Sequence, residues 1–178
     1  DVARFGESIN IIADRATFEG TSVIEQIDSA CTMFERYYSV ETIEGARRIT
    51  HYSIPYKAFR EAVANAVAHR TWDVNAKIRI AMHPDRIEIS SPGGLPAGLG
   101  RDEYLRGFIS QLRNPILANV LFRLNIIEMF GTGIVRIRSS YAEYEQKPEF
   151  DVSENAVRVT LPVTGARPAL TSDEELVY

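Results

Sequence analysis

The 178-residue sequence contains one cysteine, Cys31, so it can form no internal disulfide, and an isolated thiol on an apolar helical face reads as a small core residue. Its three histidines, His51, His69 and His83, are scattered and lack cysteine partners, which argues against a zinc site. There is no G-x-x-x-x-G-K-[ST] phosphate loop, so a P-loop motor is unsupported, and no serine sits in a G-x-S-x-G elbow. No apolar run approaches the roughly 20 residues that cross a bilayer, and the first residues lack a basic, apolar, small-residue export pattern. A cytoplasmic chain with no membrane partner is expected. A surplus of positive charge is also missing: 20 Lys and Arg against 24 Asp and Glu give a net charge of −4, which argues against a general electrostatic grip on nucleic acid and leaves room only for a local basic patch. An initial methionine is absent too, and the opening Asp1-Val-Ala-Arg-Phe5 reads as the middle of a longer protein.

The chain does have enough apolar residues, 45%, for one substantial core. One domain is expected over residues 1–162, with 163–178 as a polar tail or linker that is acidic at Asp173-Glu-Glu175. Asn10-Ile-Ile-Ala13 is predicted as a strand and Phe18 to Thr21 as a turn. Ser22 and Glu25 make a capping box for a helix running to about Tyr38, with Ile24, Ile27, Cys31, Phe34 and Tyr38 inward. Ser39–Ile43 and Arg47–Tyr52 flank Glu44-Gly45 as a hairpin. A second hairpin, Asn75–Met82 with Arg86–Ser90, turns at His83-Pro-Asp85. Residues 91–111 form a long glycine-rich connection with a short helix near 102–106, the kind of loop that is usually functional or disordered. Asn114-Pro115 starts a helix through Leu124 with Ile116, Leu117, Val120 and Leu121 inward. Gly131-Thr-Gly133 precedes a helix carrying Ile134, Ile137, Tyr141 and Tyr144, and Ala156–Leu161 is the closing strand.

The stretch Glu61-Ala-Val-Ala-Asn65-Ala-Val-Ala-His69-Arg70 follows Pro55, which sits where a helix begins. Phe59, Ala62, Val63, Ala66 and Val67 recur at helical spacing as a core face, while Glu61, Asn65 and His69 stack along its edge. A carboxylate and a carboxamide there suit a base and a Mg²⁺ ligand. Polar residues beside an apolar helical face are more often solvated or cap a neighbouring loop, and His69 near a helix C-terminus suits the dipole. His69 and Arg70 can add charge at such a site. Gly131-Thr132-Gly133 fits phosphate approach or a plain connection, and Ser91-Pro-Gly93-Gly94 fits close approach to a ligand or a tight strand exit. Arg101, Arg106 and Arg113, in or beside the long loop, are either solvated or lid guanidiniums.

Taken together, Glu61-x-x-x-Asn65-Ala, the hairpin into Pro92-Gly-Gly94, the long loop and Gly131-Thr-Gly133-Ile resemble the Bergerat-type ATPases, the superfamily of gyrase, Hsp90, histidine kinases and MutL. Tyr56–Trp72, Arg86-Ile-Glu-Ile-Ser-Ser-Pro-Gly-Gly-Leu-Pro96 and Arg113-Asn-Pro115 through Phe130-Gly-Thr-Gly-Ile134 are similar to a narrower family. That family is the divergent histidine-kinase-like ATPase domain on the C-terminal side of AlbA-type (Schlafen-like) DNA-binding domains, in proteins labelled transcriptional regulators or RecG-related helicases.

The resemblance implies an α/β (α+β) two-layer sandwich, a mostly antiparallel sheet with helices on one face. It implies ATP and Mg²⁺ as ligands, with Glu61 as general base, Asn65 at the magnesium position, Gly93 and Gly94 as the first glycine box and Gly131 and Gly133 as the second. The place of the superfamily's adenine-binding aspartate is taken by Ser90-Ser91-Pro92, and no lid lysine is evident. The implied function is an ATP-binding, slowly hydrolysing regulatory domain, with DNA bound by a domain outside this chain and a homo-oligomer as a further partner. The alternative is a nucleotide-independent interaction or oligomerisation module on a degenerate scaffold. A histidine kinase would need a phosphoacceptor helix, which the sequence lacks.

Overall fold

The computed structural model describes residues 1–107, 111–128 and 131–165. Phe130 of the glycine-turn phrase, part of the 91–111 connection and most of the expected tail lie outside the described residues.

The capping box forms as the sequence predicts. The Glu25 backbone N–H donates to Ser22 Oγ at 3.2 Å and the Ser22 N–H donates to Glu25 Oε2 at 2.9 Å, which starts helix α1, Val23–Tyr38. Ile27, Cys31, Phe34 and Tyr38 are buried, joined by Ala30 and Met33, whereas Ile24 lies on the exposed rim. Phe34 stacks on Phe59 with ring centroids 4.3 Å apart and on Tyr38 at 5.4 Å, tying α1 to α2, Tyr56–His69. Between the helices, β3 (Ser39–Glu44) and β4 (Arg47–Tyr52) make the expected hairpin as a separate two-stranded sheet.

The main sheet has six strands: β1 (Val2–Phe5), β2 (Ile12–Ala16), β5 (Arg79–Met82), β6 (Arg86–Pro92), β7 (Glu149–Val152) and β8 (Ala156–Pro162), in the order β2-β1-β5-β6-β8-β7. Among the described strands only the β1–β5 pair is parallel. Helices cover one face, where Val2, Ile80, Met82, Ile87, Ile89, Val159 and Leu161 are buried against α1 and α2. Alternation supplies this directly, since residues at i and i+2 along each strand share a face. The architecture is therefore the expected two-layer sandwich of a mostly antiparallel sheet and helices.

Several boundaries differ from the sequence reading. The strand expected at 10–13 begins at Ile12, because the Gly6 N–H donates to Ile11 O at 2.8 Å and closes a turn over the residues between. Strand β5 begins at Arg79 rather than Asn75, since Arg70 Nη2 takes the Ala76 carbonyl at 2.8 Å and the Asp1 amine takes the Ile78 carbonyl at 3.0 Å. Strands β1 and β7, four residues each, were not anticipated.

The connection after β6 carries the short helix α3, Arg101–Arg106. Helix α4, Pro115–Arg123, turns Ala118 and Leu121 inward, while Ile116 is 82% and Val120 45% exposed. This helix is apolar on several sides, so side-chain identity did not define its inner face. Helix α5, Gly133–Ser139, buries Ile134 and Ile137 and stops before Tyr141, whose hydroxyl donates to Pro162 O at 2.9 Å.

Candidate functional site

Helix α2 is buried on nearly every side, which its alanines permit. Phe59, Ala62, Val63, Ala66 and Val67 face the core, and Ala58, Ala64 and Ala68 are buried as well. Small side chains let neighbouring segments come close, and α5 packs directly on α2. Glu61, only 7% exposed, therefore sits inside the protein and not on a solvated edge. Burial pushes its carboxyl above the usual range. The Asn65 hydrogen bond is the largest opposing influence, followed by the charges of Arg136 and Arg60.

Asn65 Nδ2 donates to Glu61 Oε1 at 3.2 Å, an i, i+4 contact along the helix. With an N–H of its amide committed to Glu61, Asn65 leaves its carbonyl oxygen without a hydrogen-bond partner among the described residues, the kind of group a hard cation requires. Both side chains press against Gly133. A Cβ built there would lie 2.9 Å from Glu61 Oε1 and 3.2 Å from Asn65 Cγ, and closer still to Asn65 Nδ2. The second glycine turn thus reaches Glu61 and Asn65 because position 133 has no side chain. Gly131, at φ +69°, provides the left-handed bend into it. The Thr132 Oγ1 beside them is buried and has no hydrogen-bond partner among the described residues.

The first glycine turn makes its close approaches to the chain itself. A Cβ on Gly94 would collide with the Glu154 carbonyl, and one on Gly93 with Thr71 and Arg113. Arg113 Nη1 donates to Thr71 Oγ1, and its Nη2 donates to Gly94 O at 2.7 Å, so this guanidinium clamps the strand exit. The Asn114 carboxamide does the same for the end of α2, donating to Ala68 O at 2.9 Å and Arg70 O at 2.8 Å. Asn114 stands at the start of α4, as the sequence predicts, and its backbone carbonyl accepts from the Ala118 N–H at 2.9 Å, while its side chain makes no capping bond to that helix. Ser91, 5% exposed, donates its Oγ to Ala66 O at 2.7 Å and joins β6 to α2. Its proton is thereby committed, leaving the hydroxyl oxygen as an acceptor.

Asn65, His69, Ser91, Gly93, Gly94, Gly131 and Gly133 line one cavity of about 80 Å³ between α2 and the sheet. Burial, followed by the nearby charge of Arg113, lowers the His69 pKa and favours the neutral imidazole. Arg70 turns away, stacking 4.6 Å over the Trp72 ring and bonding Ala76 O. Arg101 and Arg106 are exposed on α3. Sequence reasoning did not single out Tyr104, Leu99 or Glu128 as cavity-lining residues. Burial raises the Tyr104 hydroxyl to about 12. The donor set suits a magnesium nucleotide: a carboxyl with raised pKa, a carboxamide oxygen and a hydroxyl that have no partner among the described residues, and a glycine bend. The volume is smaller than the roughly 300–1,000 Å³ typical of ligand pockets. A nucleotide would have to lift the Gly131–Gly133 turn off Asn65, a contact made through a bare Cα.

Residues 75–161, just under half of the chain, match the family model described as "Putative ATP-dependent DNA helicase recG C-terminal", which supports an ATPase-like domain family. The fold is similar to the crystal structure of the DIP2311 protein from Corynebacterium diphtheriae, with a TM-score of 0.78 and 24% identity over 92% of this chain and 34% of that one. The chain thus spans about a third of that protein's length. No curated protein matches the sequence significantly. No described helix is long and apolar enough to cross a membrane.

Proposed function

We propose that this chain is an ATP-binding, slowly hydrolysing domain that reports nucleotide state to a DNA-binding part of a longer regulatory protein. The observation that carries the reading is the Glu61–Asn65 pair held under Gly133, beside a cavity that both glycine turns and Ser91 help to line. The ATPase-like family match over residues 75–161 supports it from the sequence side.

In this reading Asn65 offers its carbonyl oxygen to Mg²⁺, which neutralises phosphate charge when bound. Glu61, whose raised pKa brings it closer to neutrality, orients a water molecule and accepts its proton. Neutral His69 and the Ser91 oxygen offer hydrogen-bonding groups toward the base or sugar. The Gly131–Gly133 bend brings backbone rather than side chains to the phosphates. The clamp made by Arg113 holds the first glycine turn in place, so its contribution is positional.

A second reading, a nucleotide-independent interaction or oligomerisation module, is favoured by the 80 Å³ cavity and by the way Gly93 and Gly94 pack against the chain itself. Titration calorimetry with ATP and Mg²⁺ separates the two. Micromolar-range binding that Asn65→Ala weakens at least about tenfold, equivalent to 1.4 kcal/mol, supports nucleotide binding. Absence of heat with every nucleotide tried would reject it. Phosphate release unchanged by Glu61→Ala would remove the general-base role.

A further inference from the structure

The cavity beside Asn65 is small because the connection after β6 folds back over it. Leu95, Pro96, Leu99 and Tyr104 of that connection line it together with Ile89 and Val159 of the sheet. Tyr104 is the largest of the described lining side chains. It sits on α3, where Arg101, Asp102, Glu103 and Arg106 are exposed and only Tyr104 and Leu105 turn partly inward.

Two features make this ring a poor permanent core residue. Its hydroxyl is withdrawn from water without a hydrogen-bond partner among the described residues, and burial alone raises its pKa. The helix that carries it has six residues and none fully buried, and segments with few buried side chains open at low cost. Glycines stand on both sides of it. Gly98, at φ +85°, has open space where a side chain would sit, and Gly107, at φ +68°, ends α3 in the left-handed region.

The end of α3 also rests on the second glycine turn. A Cβ on Gly107 would stand 3.1 Å from Gly131 O, and Arg138 Nη1 of α5 donates to Leu105 O at 2.6 Å. Lifting Gly131–Gly133 off Asn65 therefore shifts the support of α3 as well. We infer that Tyr104 is an autoinhibitory plug: in the free protein its ring occupies space that the base of a nucleotide requires, and binding displaces it as α3 swings about Gly98 and Gly107. This rests on the nucleotide reading above and adds that the site is closed by its own lid. The apparent affinity is then the intrinsic affinity reduced by the fraction of open molecules.

Titration calorimetry with ATP and Mg²⁺ on the full chain and two variants tests the plug. Tyr104→Ala should bind at least about tenfold more tightly than the parent, as expected where the open form is about a tenth of the population. Tyr104→Phe keeps the ring, loses only a hydroxyl with no partner among the described residues, and should bind no more tightly than the parent. Equal or weaker binding by Tyr104→Ala, as for a ring that stacks on the base, or tighter binding by Tyr104→Phe, overturns the plug and leaves the nucleotide reading in place. Absence of binding by all three proteins rejects both. A second measurement needs no nucleotide. Val159→Cys puts a thiol on the cavity wall, and buried Cys31 is the internal reference. Adding Tyr104→Ala should raise the iodoacetamide labelling rate at position 159, relative to that at Cys31, at least about tenfold. An unchanged ratio also overturns the inference.

Discussion

Asn65 donates to the Glu61 carboxylate one helical turn before it, and the bare Cα of Gly133 closes over both side chains. A buried acid, its orienting amide and a glycine turn from a distant part of the chain are thereby coupled through van der Waals contact and one 3.2 Å hydrogen bond. Changing any of the three should be felt by the other two.

Glu61 should make stability depend on pH. Its folded-state pKa is raised by burial, so its contribution is fully present below the unfolded value of about 4.3 and is lost as pH rises through the folded value. Glu61→Gln keeps an acceptor for Asn65 and removes the buried charge. The melting temperature of this variant should exceed that of the parent at about pH 8 and converge with it near pH 4. A difference independent of pH would contradict the assignment.

At Gly133 and Gly94 an added methyl group meets different neighbours. Gly133→Ala pushes on the side chains of Asn65 and Glu61, which can yield, and should cost about 1–3 kcal/mol in urea denaturation. Gly94→Ala meets the Glu154 backbone carbonyl, which cannot swing aside, and should cost more. The reverse ranking would show that the strand exit is softer than its packing indicates.

Asn114 satisfies two carbonyls at the end of α2. Asn114→Ala should cost about 1–3 kcal/mol, and Asn114→Asp more, because a carboxylate would face carbonyl oxygens at the negative end of a helix dipole. Chemical denaturation of the three proteins side by side tests this order.

The Tyr38 hydroxyl donates to the His83 carbonyl at 2.6 Å and fastens α1 to the β5–β6 turn. Burial raises this hydroxyl's pKa far above the ordinary tyrosine value, so it remains a donor at any working pH. Tyr38→Phe should lose about 1–2 kcal/mol by leaving that carbonyl unpaired, with little change in packing. Equal stability of the two proteins would mean that water replaces the bond.

Local signals carried much of the fold. Ser22 and Glu25 announced α1 because the capping box is complete within four residues, and the β3–β4 hairpin was legible around Glu44-Gly45. Helix α2 was legible from its apolar spacing. The burial of Glu61 was not, since it depends on α5 crossing over alanines. Strands β1 and β7 escaped notice because four residues such as Val2-Ala-Arg-Phe5 show no clear alternation and become strands through their partners. At Gly93 and Gly94 the sequence left a tight strand exit beside close approach to a ligand, and only tertiary structure reveals that Glu154, Thr71 and Arg113 fill the space. Asn114 does start α4, as Asn114-Pro115 indicated, but that its side chain also finishes α2 depends on tertiary packing.

The parallel β1–β5 pair also bears on the order of assembly. The Asp1 amine reaches the Ile78 carbonyl across 77 positions, whereas β5–β6 and β7–β8 close over short turns. Distant pairings form only after their loop-closure entropy is offset by other contacts, so local hairpins assemble first and the N-terminal strand arrives late. Until then β5 is an open edge, and the charge of Arg79 on that strand opposes pairing with another chain.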